Sequence, residues 1–125
     1  MAVAARRDTR MTVAEYRPWA EHRPDEERWE LIDGIALLMS PPTGRHQRIV
    51  MNLGRRLDEL AERRGRNALP GLGVLGAAMD DFAPIPDIVV TFGPLGQDGY
   101  TSAPLLVAEV LSPSTMSLDR GRKTD

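Results

Sequence analysis

The chain has 125 residues, of which 42% are hydrophobic and 27% charged, a composition typical of one globular domain rather than of a disordered or fibrous protein. It contains no cysteine, which excludes a disulfide scaffold, a thiolate zinc site and a cysteine nucleophile. The formal net charge of −2 lacks the basic excess of a dedicated nucleic-acid-binding protein, so any such binding is expected to be local.

The first residues predict a polar tail followed by a helix. Residues 1–10 are expected to form a flexible tail, and a single domain is expected to span residues 11–125. Thr12 and Glu15 have the spacing of a capping box, which predicts a short helix through residues 11–20. Because the N-terminus carries charge where a secretory signal needs an apolar run, and no later segment has the length of a membrane span, we expect a cytoplasmic protein.

A β-hairpin is predicted next, followed by a long helix. Residues 28–32 and the apolar run 35–39 flank Asp33-Gly34, which supplies the positive φ angles of a tight turn. Residues 45–64 carry apolar side chains at helical spacing and arginines and acids elsewhere. The arginines of this helix and its exit could form a phosphate-binding track or a solvated face with ion pairs: Arg45, Arg48, Arg55, Arg56, Arg63, Arg64 and Arg66.

Three strands and the start of a second helix complete the predicted order. Strands are expected at residues 71–78, 86–92 and 104–111, and the last is apolar enough to be buried on both faces. A helix is expected to begin at residues 118–123. The alternation of hairpin, helix and strands predicts a mixed α/β (α+β) domain with a central sheet.

Two carboxylates interrupt the apolar strands and mark the candidate site. Glu109 lies within the run Leu105–Leu111, and Asp87 opens the apolar stretch 87–90. Burying a charge is costly unless it is compensated, and two neighbouring carboxylates repel each other. A divalent cation relieves both costs, and Mg²⁺ is commonly bound by one or two carboxylates plus waters. Alternatively, Glu109 could pair with an arginine, and Asp87 could cap a turn.

Lys123 is unusual because the other fifteen basic residues are all arginine. A compact ammonium group can orient a nucleophilic water or stabilise developing phosphate charge. A chance surface position in the first turn of a helix explains a single lysine equally well.

At these residues the sequence resembles the Uma-type restriction endonucleases, a bacterial branch of the PD-(D/E)XK nuclease superfamily. Five stretches match in the family's order, the last of them followed by DRGRK (119–123): ELIDG (30–34), MSPP (39–42), RHQRIV (45–50), PDIVV (86–90) and AEVLSPST (108–115). The resemblance implies a restriction-endonuclease-like core with a mixed sheet flanked by helices, Mg²⁺ or Mn²⁺ bound by Asp87 and Glu109, and hydrolysis of phosphodiester bonds.

The resemblance also suggests roles for Lys123, Glu30 and His46. The motif lysine normally stands two residues after the glutamate, where this chain has Leu111, whereas similar members carry it on the following helix, where Lys123 lies. Glu30 matches a glutamate of the family's first hairpin. It could act as a further metal ligand or acid-base group, or it could be a solvent-facing strand residue. His46 could touch substrate, or could be a helix-terminal histidine satisfied by the backbone.

The family's domain continues beyond the point where this sequence ends, so we expect an incomplete C-terminus, with self-association through an exposed strand edge as one consequence. The leading interpretation is a metal-dependent endonuclease acting on nucleic acid, with DNA as the favoured partner and with Asp87, Glu109, Lys123 and Glu30 in its site. One alternative is an inactive nuclease-fold module that binds nucleic acid or a protein. Another is a structural, self-associating domain.

Overall fold

The computed structural model describes residues 3–7, 9–76 and 78–111. Within them the chain forms two helices, α1 (Val13–Glu21) and α2 (Gly44–Glu62). The strands are β1 (Val3–Arg7), β2 (Trp29–Ile32), β3 (Ile35–Met39), β4 (Arg66–Pro70), β5 (Gly73–Val74), β6 (Ile88–Phe92), β7 (Tyr100–Thr101) and β8 (Pro104–Ala108). The mixed α+β class predicted from the sequence is confirmed.

The strands are distributed over three small sheets. The first is antiparallel with the order β1-β3-β2, and the second is antiparallel with the order β4-β6-β8. The short strands β5 and β7 pair in parallel. The strand β1 corrects the prediction of a flexible tail over residues 1–10, because residues 3–7 pair with β3. An edge strand can be held by backbone hydrogen bonds alone, so its sequence need not show an apolar pattern.

Both local signals near the N-terminus are confirmed. The Thr12 hydroxyl accepts the backbone N–H of Glu15 at 3.2 Å, and the Glu15 carboxylate accepts the backbone N–H of Thr12 at 3.0 Å. The predicted hairpin is formed by β2 and β3, and Asp33 and Gly34 have φ angles of 51° and 78° at its turn. A capping box and a tight turn each depend on residues close in sequence, and the sequence therefore predicted both.

The N-terminal core lies between α1 and the first sheet. Its buried side chains are those of Met11, Tyr16, Leu31, Ala36 and Ala83. Two reciprocal backbone hydrogen bonds between Leu31 and Ala83, of 3.0 and 2.8 Å, tie β2 to the segment that leads into β6. This connection fixes the approach of the chain to Asp87.

Burial of Tyr16 makes stability sensitive to high pH. Loss of hydration in the core raises the pKa of the Tyr16 hydroxyl above its ordinary value. An unfolded chain would ionise Tyr16 near a pKa of about 10, so its contribution to stability is complete below that pH and is lost as the pH rises further. We therefore expect the urea midpoint of the wild-type chain to fall more steeply above about pH 10 than that of Tyr16→Phe. Parallel declines of the two midpoints would contradict this assignment.

The helix α2 packs over the second sheet. It is the long helix predicted from the sequence, and Gly54 on it approaches the side chain of Ile88 in β6. Its apolar stripe is only partly covered, because Ile49, Leu53 and Leu60 remain exposed. Neither α1 nor α2 is long and apolar enough to cross a membrane, and the described residues contain no other helix.

The strands of the second half differ from the prediction in two respects. The strand β4 was not predicted, and the strand expected at residues 71–78 is reduced to Gly73–Val74. The strand β8 is confirmed, but its predicted burial on both faces is wrong: Leu105, Leu106 and Val107 are 48%, 51% and 49% exposed. An apolar run shows that side chains favour burial, but it does not show which element covers them. The helix expected to begin at residues 118–123 lies outside the described residues.

Candidate functional site

The two carboxylates predicted as metal ligands flank neighbouring strands: Asp87 immediately precedes β6 and Glu109 immediately follows β8. In the antiparallel pair of β6 and β8, Ile88 lies opposite Ala108. Extending this register by one position would place Asp87 opposite Glu109. Residues directly opposite each other in an antiparallel pair project to the same side, with Cβ atoms about 5 Å apart. The pairing of β6 with β8 therefore brings to neighbouring strand ends two residues that are 22 positions apart in the sequence.

Asp87 is held by two hydrogen bonds to one of its oxygens. Its Oδ2 accepts the backbone N–H of Val110 at 2.7 Å and lies 3.2 Å from Nε2 of His46. The first bond crosses to the residue after Glu109, so the alternative in which Asp87 caps a turn of its own strand is not what the structure shows. Neither bond involves Oδ1. The carboxylate is thus oriented by a neighbouring strand and by a helix.

His46 is the site residue that sequence analysis underestimated. It lies in the first turn of α2, where the Thr43 hydroxyl accepts its backbone N–H at 3.1 Å. Its ring contacts the Asp87 carboxylate, whereas the two alternatives considered from the sequence were contact with substrate and satisfaction by the backbone. The matched stretch that contains His46 was the available signal, but a partner 41 positions away cannot be identified from spacing.

Glu30 lies in β2 and is fully buried, so the alternative of a solvent-facing strand residue is wrong. Its Oε2 accepts the backbone N–H of Ile85 at 3.0 Å. Ile85 precedes Asp87 by two residues. The Glu30 carboxylate therefore lies beside the backbone that carries Asp87 into β6.

The donor chemistry fits a hard divalent cation bound largely through water. Among residues 3–7, 9–76 and 78–111, no three histidine or acidic side chains come close enough together to hold a metal ion. Asp87 and Glu109 nevertheless supply two carboxylates, and Mg²⁺ commonly takes one or two and keeps several waters. Lys123, the predicted basic group, lies outside the described residues.

A cleft of about 810 Å³ opens beside Asp87. One wall is α2, from His46 to Asp58, and the other includes residues 39–43 and 85–87. Arg28 and Arg55 contribute positive charge to the lining and Asp58 and Asp87 contribute negative charge, while the rest is largely apolar. The cleft therefore offers apolar surface together with two arginines that could contact anionic groups of a ligand bound near Asp87.

The arginines of α2 lie at and beyond the rim of this cleft. Arg45, Arg48, Arg55 and Arg56 are exposed, and the structure shows no ion pair between any of them and an acid of the described chain. The ion-paired face that sequence analysis considered for this helix is thus not formed by these residues. Their charges remain accessible to an external anion.

The fold of the chain resembles that of a solved protein. The chain is similar to a crystal structure of "a putative nuclease belonging to DUF820" from Anabaena variabilis ATCC 29413, with a TM-score of 0.63 and 21% identity. The match covers 90% of this chain and 65% of that one, so this sequence spans about two thirds of the length of its structural relative. At this identity the likeness establishes the fold.

No match was found among curated proteins. The profile of the Uma2 family, described as "Putative restriction endonuclease", matches residues 13–125. This range includes α1, α2, the hairpin and both candidate carboxylates. The chain therefore belongs to the Uma2 family, as its sequence motifs indicated.

Proposed function

We propose that this chain carries the metal site of an endonuclease that hydrolyses phosphodiester bonds in DNA. The observation that carries the proposal is the position of Asp87 and Glu109 next to the paired ends of β6 and β8, in a member of a nuclease-like family. In this proposal both carboxylates bind Mg²⁺ or Mn²⁺, Lys123 assists the water or the phosphate, and Glu30 is a third acidic group.

Each residue has a defined task in the proposed reaction. A bound divalent cation would supply Lewis-acid activation of the phosphoryl group and a lower pKa for water. In this proposal the negative charges of Asp87 and Glu109 would repel each other, and a cation bound between them would relieve that repulsion. The bond from Val110 fixes Asp87 before any metal arrives, so less orientation has to be achieved on binding.

The cleft supports a polyanionic substrate. Arg28 and Arg55 line it, and the exposed arginines of α2 continue the positive charge along the helix. Arginine contacts to phosphates supply most of the sequence-independent affinity for nucleic acid. This local distribution reconciles nucleic-acid binding with a net charge of −2 over the whole chain.

Titration of Mg²⁺ and Mn²⁺ into the purified chain by calorimetry tests the metal site. We expect saturable binding to the wild-type chain and none to the folded double variant Asp87→Ala/Glu109→Ala. Asp98→Asn is a matched control because Asp98 also accepts a backbone amide, that of Tyr100, and a basic side chain, that of Arg17, but at an exposed loop. This control should bind metal like the wild type.

The absence of binding to a folded wild-type chain would remove the enzymatic proposal. The alternative, an inactive nuclease-fold module that binds nucleic acid or a protein partner, would then be the better account. Retained DNA affinity that falls with rising salt would support that module, because phosphate contacts release counterions.

A further inference from the structure

We propose that His46 is a positioning residue that orients the Asp87 carboxylate for metal binding. This inference rests on the proposed function and extends it to a residue outside the pair of carboxylates. It also assigns a role to the first turn of α2, which forms one wall of the cleft.

The two hydrogen bonds described for Asp87 involve the same carboxylate oxygen. Both the Val110 amide and the His46 ring are directed to Oδ2. Two donors that converge on one oxygen restrain rotation of the carboxylate more than a single donor does. Since neither donor uses Oδ1, the lone pairs of Oδ1 are not consumed by this arrangement. His46 and the Val110 amide thus fix Oδ2 of Asp87, and this arrangement leaves Oδ1 available to bind a metal ion.

The contact between His46 and Asp87 is largely shielded from water. The side chains of His46 and Asp87 are only 17% and 13% exposed, so water competes weakly for either group. The ring is carried by a 19-residue helix whose first turn is anchored by the Thr43 cap. An ionised carboxylate only accepts hydrogen bonds, so Nε2 of His46 is the donor. The nitrogen nearest Asp87 is therefore engaged by the carboxylate.

Hydrogen-bond partners of a metal ligand commonly change affinity without touching the metal. Removing such a partner typically costs about 10–100-fold in metal affinity. Two variants separate hydrogen-bond donation by His46 from other roles of its ring. His46→Leu keeps much of the side-chain volume but has no donor, whereas His46→Gln retains an N–H group that can reach the carboxylate. His22→Leu is the matched control, since the ring of His22 lies 2.7 Å from the carbonyl oxygen of Pro18, at α1 rather than at the cleft.

The test is calorimetric titration of Mn²⁺ into each variant after its folding has been verified by urea unfolding. We expect His46→Leu to bind Mn²⁺ about 10–100-fold more weakly than the wild-type chain. His46→Gln should recover affinity to within about threefold, and His22→Leu should be unchanged at that level. If His46→Leu does not fold, His46→Phe, which keeps an aromatic ring without a donor, replaces it.

The possible outcomes separate this inference from the proposed function. Unchanged affinity in His46→Leu would overturn the positioning role and leave the carboxylate site intact. Equal losses of Mn²⁺ affinity in His46→Leu and His46→Gln would also overturn it, because restoring an N–H donor would then not restore affinity. No binding to the wild-type chain would instead overturn the proposed function itself.

Discussion

Asparagine in place of Asp87 is expected to slow cleavage of supercoiled plasmid by about a thousandfold or more, with little loss of stability. The side chain of Asp87→Asn can still accept the Val110 amide through its carbonyl oxygen, so the local hydrogen bond is preserved. What is lost is the negative charge that attracts the cation. A metal ion commonly contributes several kcal/mol to transition-state stabilisation, and about 1.4 kcal/mol corresponds to a factor of ten in rate.

The measurement is the initial rate of nicking in Mg²⁺ and Mn²⁺, with stability followed in parallel by urea unfolding. Asp98→Asn removes the same charge from an exposed aspartate and should cleave at the wild-type rate. A rate for Asp87→Asn within tenfold of the wild type would show that the charge at this position is not required for the reaction. Equal losses in both variants would indicate a general electrostatic effect rather than a local one.

Several elements were predictable because their determinants are local. The capping box at Thr12, the turn at Asp33 and the apolar periodicity of α2 each involve residues within a few positions of one another. Local geometry then selects one structure with little help from the rest of the chain. These are the elements whose type and approximate bounds the structure confirms.

Other elements were not predictable because distant partners determine them. The strand β4 contains Arg66, Asn67 and Pro70, which are poor strand formers, and it exists because β6 and α2 supply its neighbours. The strand β1 likewise depends on its pairing with β3. Strand propensity is a weak preference that pairing and burial readily override.

The candidate site shows the same division. A carboxylate within an apolar strand is visible in the sequence, and this anomaly identified Asp87 and Glu109. The pairing that brings the neighbouring strand ends together is a property of the sheet. The contact between His46 and Asp87 joins a helix to a strand, and no spacing rule predicts it. The role of Lys123 stays a prediction, because that residue lies outside the described part of the chain.

The strand β2 connects the core to this site. Leu31 exchanges two backbone hydrogen bonds with Ala83, and its neighbour Glu30 accepts the amide of Ile85. The segment that carries Asp87 is thus attached to β2 at two nearby points. A buried leucine in such a strand stabilises the core and, through it, the position of the candidate site.

Leu31→Ala is accordingly expected to lower the free energy of unfolding by about 2–5 kcal/mol, a large part of the roughly 5–15 kcal/mol typical of a whole domain. Leu31 is completely buried among Tyr16, Ala36 and Ala83, so its truncation removes apolar contacts and leaves a cavity.

Urea unfolding provides the measurement, and Leu60→Ala, at an exposed position of α2, is the control, with an expected change within about 0.5 kcal/mol. If the midpoint for Leu31→Ala stayed near that of the wild type, the cluster around α1 would not be the core on which the fold depends. A large loss of stability with Mn²⁺ affinity retained in the folded fraction would show that the core supports the site only by keeping the chain folded. A loss of both would indicate that β2 positions Asp87 directly, through its bonds to Ala83 and Ile85.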